Sequence, residues 1–345
     1  MRASIGNFKN APTAPLADGV MIAWKKECFR SSATASTFHV SLELISKDTG
    51  KGRIAKARGY LANMTETISV LRRRRPRTVI CLNQPPFLPM ICHFYALLTG
   101  GRVIMDFHSG AITKGIWRPF LPYYRHLVRA APFTICHNRF DGQHVSRWGG
   151  RPLHLIALPQ VRFGDITYTP RREKPLFFFV CSFAADEPVD LTIEAMRKCP
   201  EFDFIVSGNY RKRKLDPAAM PSNVRLAGFM DYSEYLQTMA QATAMLTLSD
   251  RPHIMQMAVH EALTIGVPVV TNESPTLREV LGNAGVFTPI APNSLVEAFH
   301  EAVNRHADLA ESAGSAKYAI WARTEEELDS LRRNAPANMY MSPEN

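Results

Sequence analysis

Residues 249–288 read SDRPHIMQMAVHEALTIGVPVVTNESPTLREVLGNAGVFT, and the architecture unfolds from this stretch outward. An apolar run at 244–248 enters it and gives way to the polar residues Ser249, Asp250, Arg251 and His253. A helical segment at 257–264 carries Glu261, Gly266 stops it, and 267–271 returns as a buried strand. The loop 272–275, with Ser274, leads into a further helix opened by a capping box of Thr276 and Glu279. Strand, helix and strand joined by short loops form a parallel α/β unit. The first amides of the last helix, from Thr276, Leu277 and Arg278, lack intrahelical partners and make an anion site. A phosphate held there lies one loop from Glu261, whose carboxylate can accept two ribose hydroxyls.

The same alternation continues in both directions. Toward the N-terminus, strands are expected at 176–180, 202–207 and 224–227, the second closing on Gly208 and Asn209. Helices are expected at 189–198, after the capping box of Asp231 and Glu234, and from Ser294 with Glu297 to about residue 306. Periodicity lapses between Pro159 and Pro175, which marks a linker. The N-terminal half repeats the pattern, with strands at 21–24, 40–45, 78–82, 102–107, 133–136 and 153–157. Ile54, Ala57, Leu61, Met64, Ile68 and Leu71 recur three and four apart, predicting one apolar helical stripe that ends in Arg72, Arg73, Arg74 and Arg75 before Pro76. The fold class is therefore α/β with two doubly wound domains. The expected divisions are a flexible leader at 1–18, an N-terminal domain at 19–165, a linker at 166–175 and a C-terminal domain at 176–320. A last helix and tail at 321–345 are expected to cross back to the first domain.

Composition narrows the functional classes. A chain of 345 residues with 46% hydrophobic and 21% charged residues can bury two cores without metal or disulfide support. Cys28, Cys81, Cys92, Cys136, Cys181 and Cys199 form no CxxC pair and read as the reduced thiols of a cytoplasmic protein. The most apolar run, 87–98, contains Pro89 and His93 and is too short to span a bilayer. The net charge of +10 gathers in the arginine run, with Arg77, and in Arg211, Lys212, Arg213 and Lys214. Neither cluster is interleaved with aromatics, so nucleic acid is not expected as a partner, whereas phosphate ligands or an anionic membrane surface are. Gly-x-x-x-x-Gly-Lys-Ser/Thr, Gly-x-Gly-x-x-Gly after the first strand, Gly-x-Ser-x-Gly and Asp-x-Asp are all absent. Kinase, dinucleotide, α/β-hydrolase and metal-clamped transferase sites are thereby disfavoured.

The 249–288 block resembles the retaining GT-B glycosyltransferases of family GT4. Glu261, Ala262, Leu263, Gly266, Pro268, Val269, Val270, Leu277, Glu279 and Val280 stand at that family's motif positions. The likeness extends more loosely over 176–303, and into the first half through strand order and the sequence at 105–110, Met-Asp-Phe-His-Ser-Gly. It implies two Rossmann-like domains facing a cleft, a nucleotide-diphosphate sugar as donor, no cofactor and no metal. Glu261 takes the place of the second Glu of a Glu-x7-Glu motif, the ribose binder, while His253 replaces the first. Ser182 and Glu187 stand where the family places the Arg and Lys that neutralise the diphosphate. That charge is then expected to fall to the Thr276 helix start, Arg251, Arg278 or the 211–214 loop. His108 follows the 102–107 strand at a place where relatives carry a histidine near the reacting sugar, with Asp106 as its expected partner. Catalytic roles are thus expected for His108, Asp106 and His253. Donor contacts are expected from Glu261, Arg251, Gly208, Asn209, Ser274, Thr276, Leu277 and Arg278, and acceptor contacts from Asn83 and Gln84. The expected function is transfer of a sugar to a glycan or lipid-linked acceptor, metal-independent and with retention, at the cytoplasmic face of a membrane touched by Arg72, Arg73, Arg74 and Arg75. A nucleotide-sugar epimerase or hydrolase, and a non-catalytic binding relative, are the alternatives.

Overall fold

A computed structural model describes residues 13–47, 50, 52–113, 115–156, 166–171, 173–334 and 339. The first twelve residues of the expected leader, the 157–165 end of the first expected domain, Arg172 of the linker, and the tail apart from Met339 lie outside the described residues. The chain divides into two compact units, Met1–Gln160 with Trp321–Asn345, and Val161–Ile320.

In the first unit β1 (Gly19–Ala23), α1 (Phe29–Thr37), β2 (Ser41–Leu44), α2 (Arg53–Arg74), β3 (Thr78–Leu82), α3 (Phe87–Thr99) and β4 (Arg102–Phe107) come first. They are followed by α4 (Gly110–Thr113), α5 (Leu121–Ala130), β5 (Thr134–Cys136), α6 (Arg139–Arg147) and β6 (Pro152–His154). Its six strands are parallel, in the order β2-β1-β3-β4-β5-β6. The second unit contains β7 (Leu176–Val180), α7 (Val189–Arg197), β8 (Asp203–Ser207), β9 (Val224–Gly228), α8 (Tyr232–Gln241) and β10 (Ala244–Thr247). It continues with α9 (Met257–Ile265), β11 (Val269–Asn272), α10 (Pro275–Leu281), β12 (Gly285–Thr288) and α11 (Pro292–Asn304). Its parallel order is β12-β11-β10-β7-β8-β9. Both sheets are doubly wound, but the switch of winding falls between β1 and β3 in one and between β7 and β10 in the other. The final helix, α12 (His306–Asn334), starts in the second unit and ends in the first.

Continuous apolar runs become central strands because helices cover both faces of a parallel sheet. In β7, Phe177 and Phe179 join the cluster with Val206, Leu246 and Phe299, while Phe178 meets the Tyr235 ring on the other face, centroids 5.4 Å apart. Leu309 of α12 packs in the same cluster. The first unit's core gathers β1, β3 and β4 and includes Leu328 of α12 and Met339. Ala14 and Leu16, assigned to the leader from sequence, are buried and donate backbone hydrogen bonds to Thr37 and Phe38.

The apolar stripe expected to bury α2 is a correction. Leu71 is inside and Met64 packs on the core, but Ile54, Leu61 and Ile68 are 73%, 61% and 38% exposed. Asn63, Thr67 and Val70 face inward instead. The cause is hydrogen bonding: Trp24 Nε1 donates to Thr67 Oγ1 at 2.9 Å, and the Lys47 amide donates to Asn63 Oδ1 at 2.9 Å. A donor sealed under the helix costs about 1–3 kcal/mol unless it is met, so the polar pair turns inward. The helix starts of the capping boxes also differ. Ser274, not Thr276, caps α10, and α11 begins at Pro292 before Ser294. Among the described residues, no helix is long and apolar enough to cross a membrane.

Candidate functional site

Two clusters of polar side chains sit at the carboxyl ends of the parallel strands, one in each unit, where doubly wound sheets bind ligands. In the first unit, Asp106 ends β4, His108 follows it and His137 follows β5. Asp106 is fully buried, and His137 Nε2 meets its Oδ1 at 2.5 Å. His137 Nδ1 lies 2.8 Å from the Leu155 carbonyl, so both ring nitrogens face acceptors and the His137–Asp106 contact needs a proton. Arg30 Nη1 donates to His108 Nδ1 at 3.1 Å, which leaves the His108 proton on Nε2, 3.5 Å from the same Asp106 oxygen and too poorly aligned for a hydrogen bond. Burial pushes the Asp106 carboxyl up, but His137 and then His108 outweigh it and hold it well below the usual carboxylate range. Burial lowers His108, so its ring is neutral near pH 7. Asp141, at the start of α6, is raised by burial to about 6.

The expected partner of His108 is therefore shared. Asp106 binds His137 more closely, and Arg30 and His137 were missed from sequence. His137 carried a signal, since it follows the 133–136 strand as His108 follows 102–107. Asn83 is completely buried, and its side chain donates to His108 O at 3.2 Å and accepts from His108 N at 3.1 Å. Its carbonyl accepts from Tyr124 at 2.5 Å, so Asn83 locks the ends of β3 and β4 together. Gln84, half-buried, precedes the cis bond to Pro85 and lies against Gly110. Asp106, His108 and His137 bring ligand atoms within 4.8 Å of one another, but the Arg30 guanidinium on His108 disfavours a cation there. Cys199, Glu201 and His300 are similarly close, with Glu201 and His300 exposed.

In the second unit a cavity of about 520 Å³ is lined by Ser182, Glu187, Gly208, Phe229, Tyr232 and Glu261, among others. Glu261 is 5% exposed; its Oε2 accepts from Tyr235 at 2.6 Å and its Oε1 from Tyr232 at 3.2 Å. Burial raises the Glu261 carboxyl, with the Tyr235 and Tyr232 hydrogen bonds opposing the rise. The two tyrosine rings stack, centroids 6.0 Å apart. Gly208 has φ +100°, and a Cβ there would run into the Cys181 carbonyl oxygen, so the β7 and β8 ends meet this closely only with glycine.

The loop after β7 closes on itself. Glu187 accepts from the amides of Ser182 and Ala184, at 3.0 and 2.7 Å, and from the Ser182 hydroxyl at 3.0 Å. Lys212 and Arg213, from the loop after β8, reach the carbonyls of Ser182 and Ala184 at 2.7 and 2.8 Å. A ring of donors flanked by cations is an anion nest, here holding the chain's own carboxylate.

The donor residues singled out from sequence divide into two groups at this cavity. Gly208 and Glu261 line it; Asn209, Arg251, His253, Ser274, Thr276, Leu277 and Arg278 do not. Arg251 pairs with Asp186 at 3.1 Å. His253 is half-buried with φ +63°. Ser274, Thr276 and Leu277 are buried. The proposed anion site at α10 needs correcting in detail, because Ser274 Oγ accepts from Leu277 N and Ser274 O from Arg278 N. Arg278 itself grips Glu273 through two bonds of 2.6 and 2.5 Å.

Residues 174–308 match the family model described as "Glycosyl transferases group 1". No curated protein matches the chain in sequence. Among solved structures, sucrose-phosphate synthase from Thermosynechococcus elongatus is similar, with a TM-score of 0.68 at 11% identity, covering 92% of this chain and 98% of that one. HepE from Anabaena, in complex with UDP and glucose, has a TM-score of 0.67 at 12% identity, covering 92% of this chain and 100% of that one. A glycosyltransferase from Rickettsia africae has a TM-score of 0.66 at 10% identity, covering 92% and 98%. The chain has the GT-B fold, and the part of it that resembles the group 1 glycosyltransferases in sequence, 174–308, lies almost wholly in the second unit.

Proposed function

We propose that the protein moves a sugar from a nucleoside-diphosphate sugar to a glycan or lipid-linked acceptor. The observation that carries this reading is the second unit's cavity, with the Glu261 carboxylate in its wall and the Glu187 anion nest at its rim. A buried carboxylate that accepts from two hydroxyls matches a ribose, and an adjoining nest matches a phosphate. HepE, similar in fold, is described in complex with UDP and with UDP-glucose, which supports the donor class. The first unit's cluster, with neutral His108, supplies hydrogen bonds on the acceptor side. Retention of configuration, independence from metal and work at the cytoplasmic face of a membrane belong to the same proposal. Departure of the nucleoside diphosphate would be stabilised by Lys212 and Arg213, the cations at the nest.

Incubation with labelled nucleotide sugars, with and without acceptor extract, tests this. Acceptor-dependent release of nucleoside diphosphate is expected. Release without acceptor would favour an epimerase or hydrolase. The occupied nest favours a second reading, a binding protein without turnover, and a ligand-induced rise in melting temperature with no release would establish it.

A further inference from the structure

We infer that the amino edge of the first unit's sheet docks on an anionic lipid bilayer. At this edge, opposite the strand ends that carry Asp106 and His108, a cavity of about 930 Å³ opens where α2 and α3 end and β3 and β4 begin. Arg72, Arg75, Arg77, Arg102, Tyr95 and Leu98 line it. Among the described residues no carboxylate lies within salt-bridge distance of Arg72, Arg73 or Arg75. Arg74 pairs with Glu43, and Arg77 reaches only the exposed Asp18 at 3.7 Å. Among the described residues, the charges of Arg72, Arg73 and Arg75 therefore have no ion-pair partner.

Beside these cations stand apolar side chains that the core does not take. On the outer side of α3, Phe94, Leu97 and Leu98 are 58%, 65% and 87% exposed. On α2 the outward stripe of Ile54, Leu61 and Ile68 repeats every seven residues, along about 20 Å of helix. Leu98 shares the cavity wall with Arg72 and Arg75, so aliphatic and cationic groups meet at one place. Lone exposed leucines need no explanation, but a repeated stripe ending in an arginine cluster does.

Charge selects the occupant. A second copy seated on this face would set arginine against arginine. A bilayer containing acidic lipid offers phosphates and carboxylates to the cations, and the headgroup–acyl boundary to Leu97, Leu98 and Phe94. The arginines steer and hold, and the leucines insert.

The test uses the full chain with vesicles of phosphatidylcholine alone and of phosphatidylcholine with phosphatidylserine, at low and high salt. Co-sedimentation with the serine-lipid vesicles is expected at low salt, and loss of most of it at high salt. Each arginine near the surface contributes about fivefold in partitioning, so Arg72→Ala, Arg73→Ala and Arg75→Ala together should weaken it on the order of a hundredfold. Leu97→Ser with Leu98→Ser should weaken it further, with melting temperature unchanged because both side chains face solvent. Wild-type protein that ignores acidic vesicles at low salt would overturn the inference. So would variants that bind as well as wild type, or a dimer that the leucine changes dissociate. No nucleotide sugar enters the assay, so this inference and the donor proposal fail separately.

Discussion

The two buried carboxylates differ in what holds them. Asp106 in the first unit is held between two imidazoles, with His137 at 2.5 Å and His108 at 3.5 Å. Glu261 in the second unit is held by two neutral hydroxyls, from Tyr235 and Tyr232. A buried carboxylate sealed against an imidazole gives up that partner only at the cost of leaving its own charge unpaired, so it positions its neighbours. A carboxylate bonded to hydroxyls can exchange them for the hydroxyls of a ribose at little net cost, because like replaces like. The difference suggests one site built to stay as it is and one built to trade partners.

The sharpest way to break the comparison is Asp106→Asn. It removes the anion facing His137 and should destabilise the protein by about 3–5 kcal/mol at neutral pH, read as a shift of the urea midpoint. Because the folded Asp106 value lies below the unfolded one, this stability is present above the ordinary carboxylate range. It is lost as pH falls, so the gap between variant and wild type should close in acid.

Next in size is the titration of Asp141, close to the same cluster. Its value, raised by burial to about 6, means that the folded state keeps a proton the unfolded chain has released. The corresponding stability is complete below about pH 4 and falls by about 3 kcal/mol as pH rises through 6. Asp141→Asn should flatten that slope. Buried His108 titrates in both proteins, so the difference between their melting profiles isolates Asp141. If the two profiles run parallel, Asp141 carries no raised value.

On the exchangeable side, Glu261→Ala should lower donor affinity about a hundredfold, roughly 2–3 kcal/mol for hydrogen bonds to a charged group, with Glu261→Gln recovering part. Calorimetric titration with uridine and guanosine diphosphates measures it, and unchanged affinity would show that ribose binds elsewhere. The smallest effect concerns the nest. Glu187→Gln weakens the chain's own hold on the Ser182 and Ala184 amides, so nucleoside diphosphates should bind about tenfold tighter, about 1.4 kcal/mol, while the nucleoside is unaffected. A loss of diphosphate affinity would make Glu187 a direct ligand-holding residue instead.

Much of this was legible in the sequence because apolar runs such as 176–180 and 267–271 have few places to go except a covered parallel sheet. The block around Glu261 stood out through its resemblance to a family motif. Helix α1 was not: its sequence, FRSSATAST, has no apolar period, and it forms where small buried residues, Ser31, Ala33, Thr34 and Ala35, pack closely. Nor was the inward face of α2, which is set by acceptors that Trp24 and Lys47 require from far along the chain. The tyrosine partners of Glu261 read from sequence as ordinary positions of a helix start. Glu187 was noticed as a departure from a family pattern, but its turn back onto Ser182 is a tertiary event that no local spacing encodes.

The course of α12 bears on how the polypeptide is made. Leu328 and Met339 lie in the core built by β1, β3 and β4, and the Met339 carbonyl accepts the amide of Ala17. A ribosome delivers Ala17 more than three hundred residues before Met339. The unit synthesised first therefore emerges with a vacancy in its interior, while everything needed for the unit synthesised second has left the exit tunnel before that vacancy is filled. Chains truncated after residue 320 and released from the ribosome should offer a finished later half beside an unfinished earlier one, inverting the usual order in which translated domains mature.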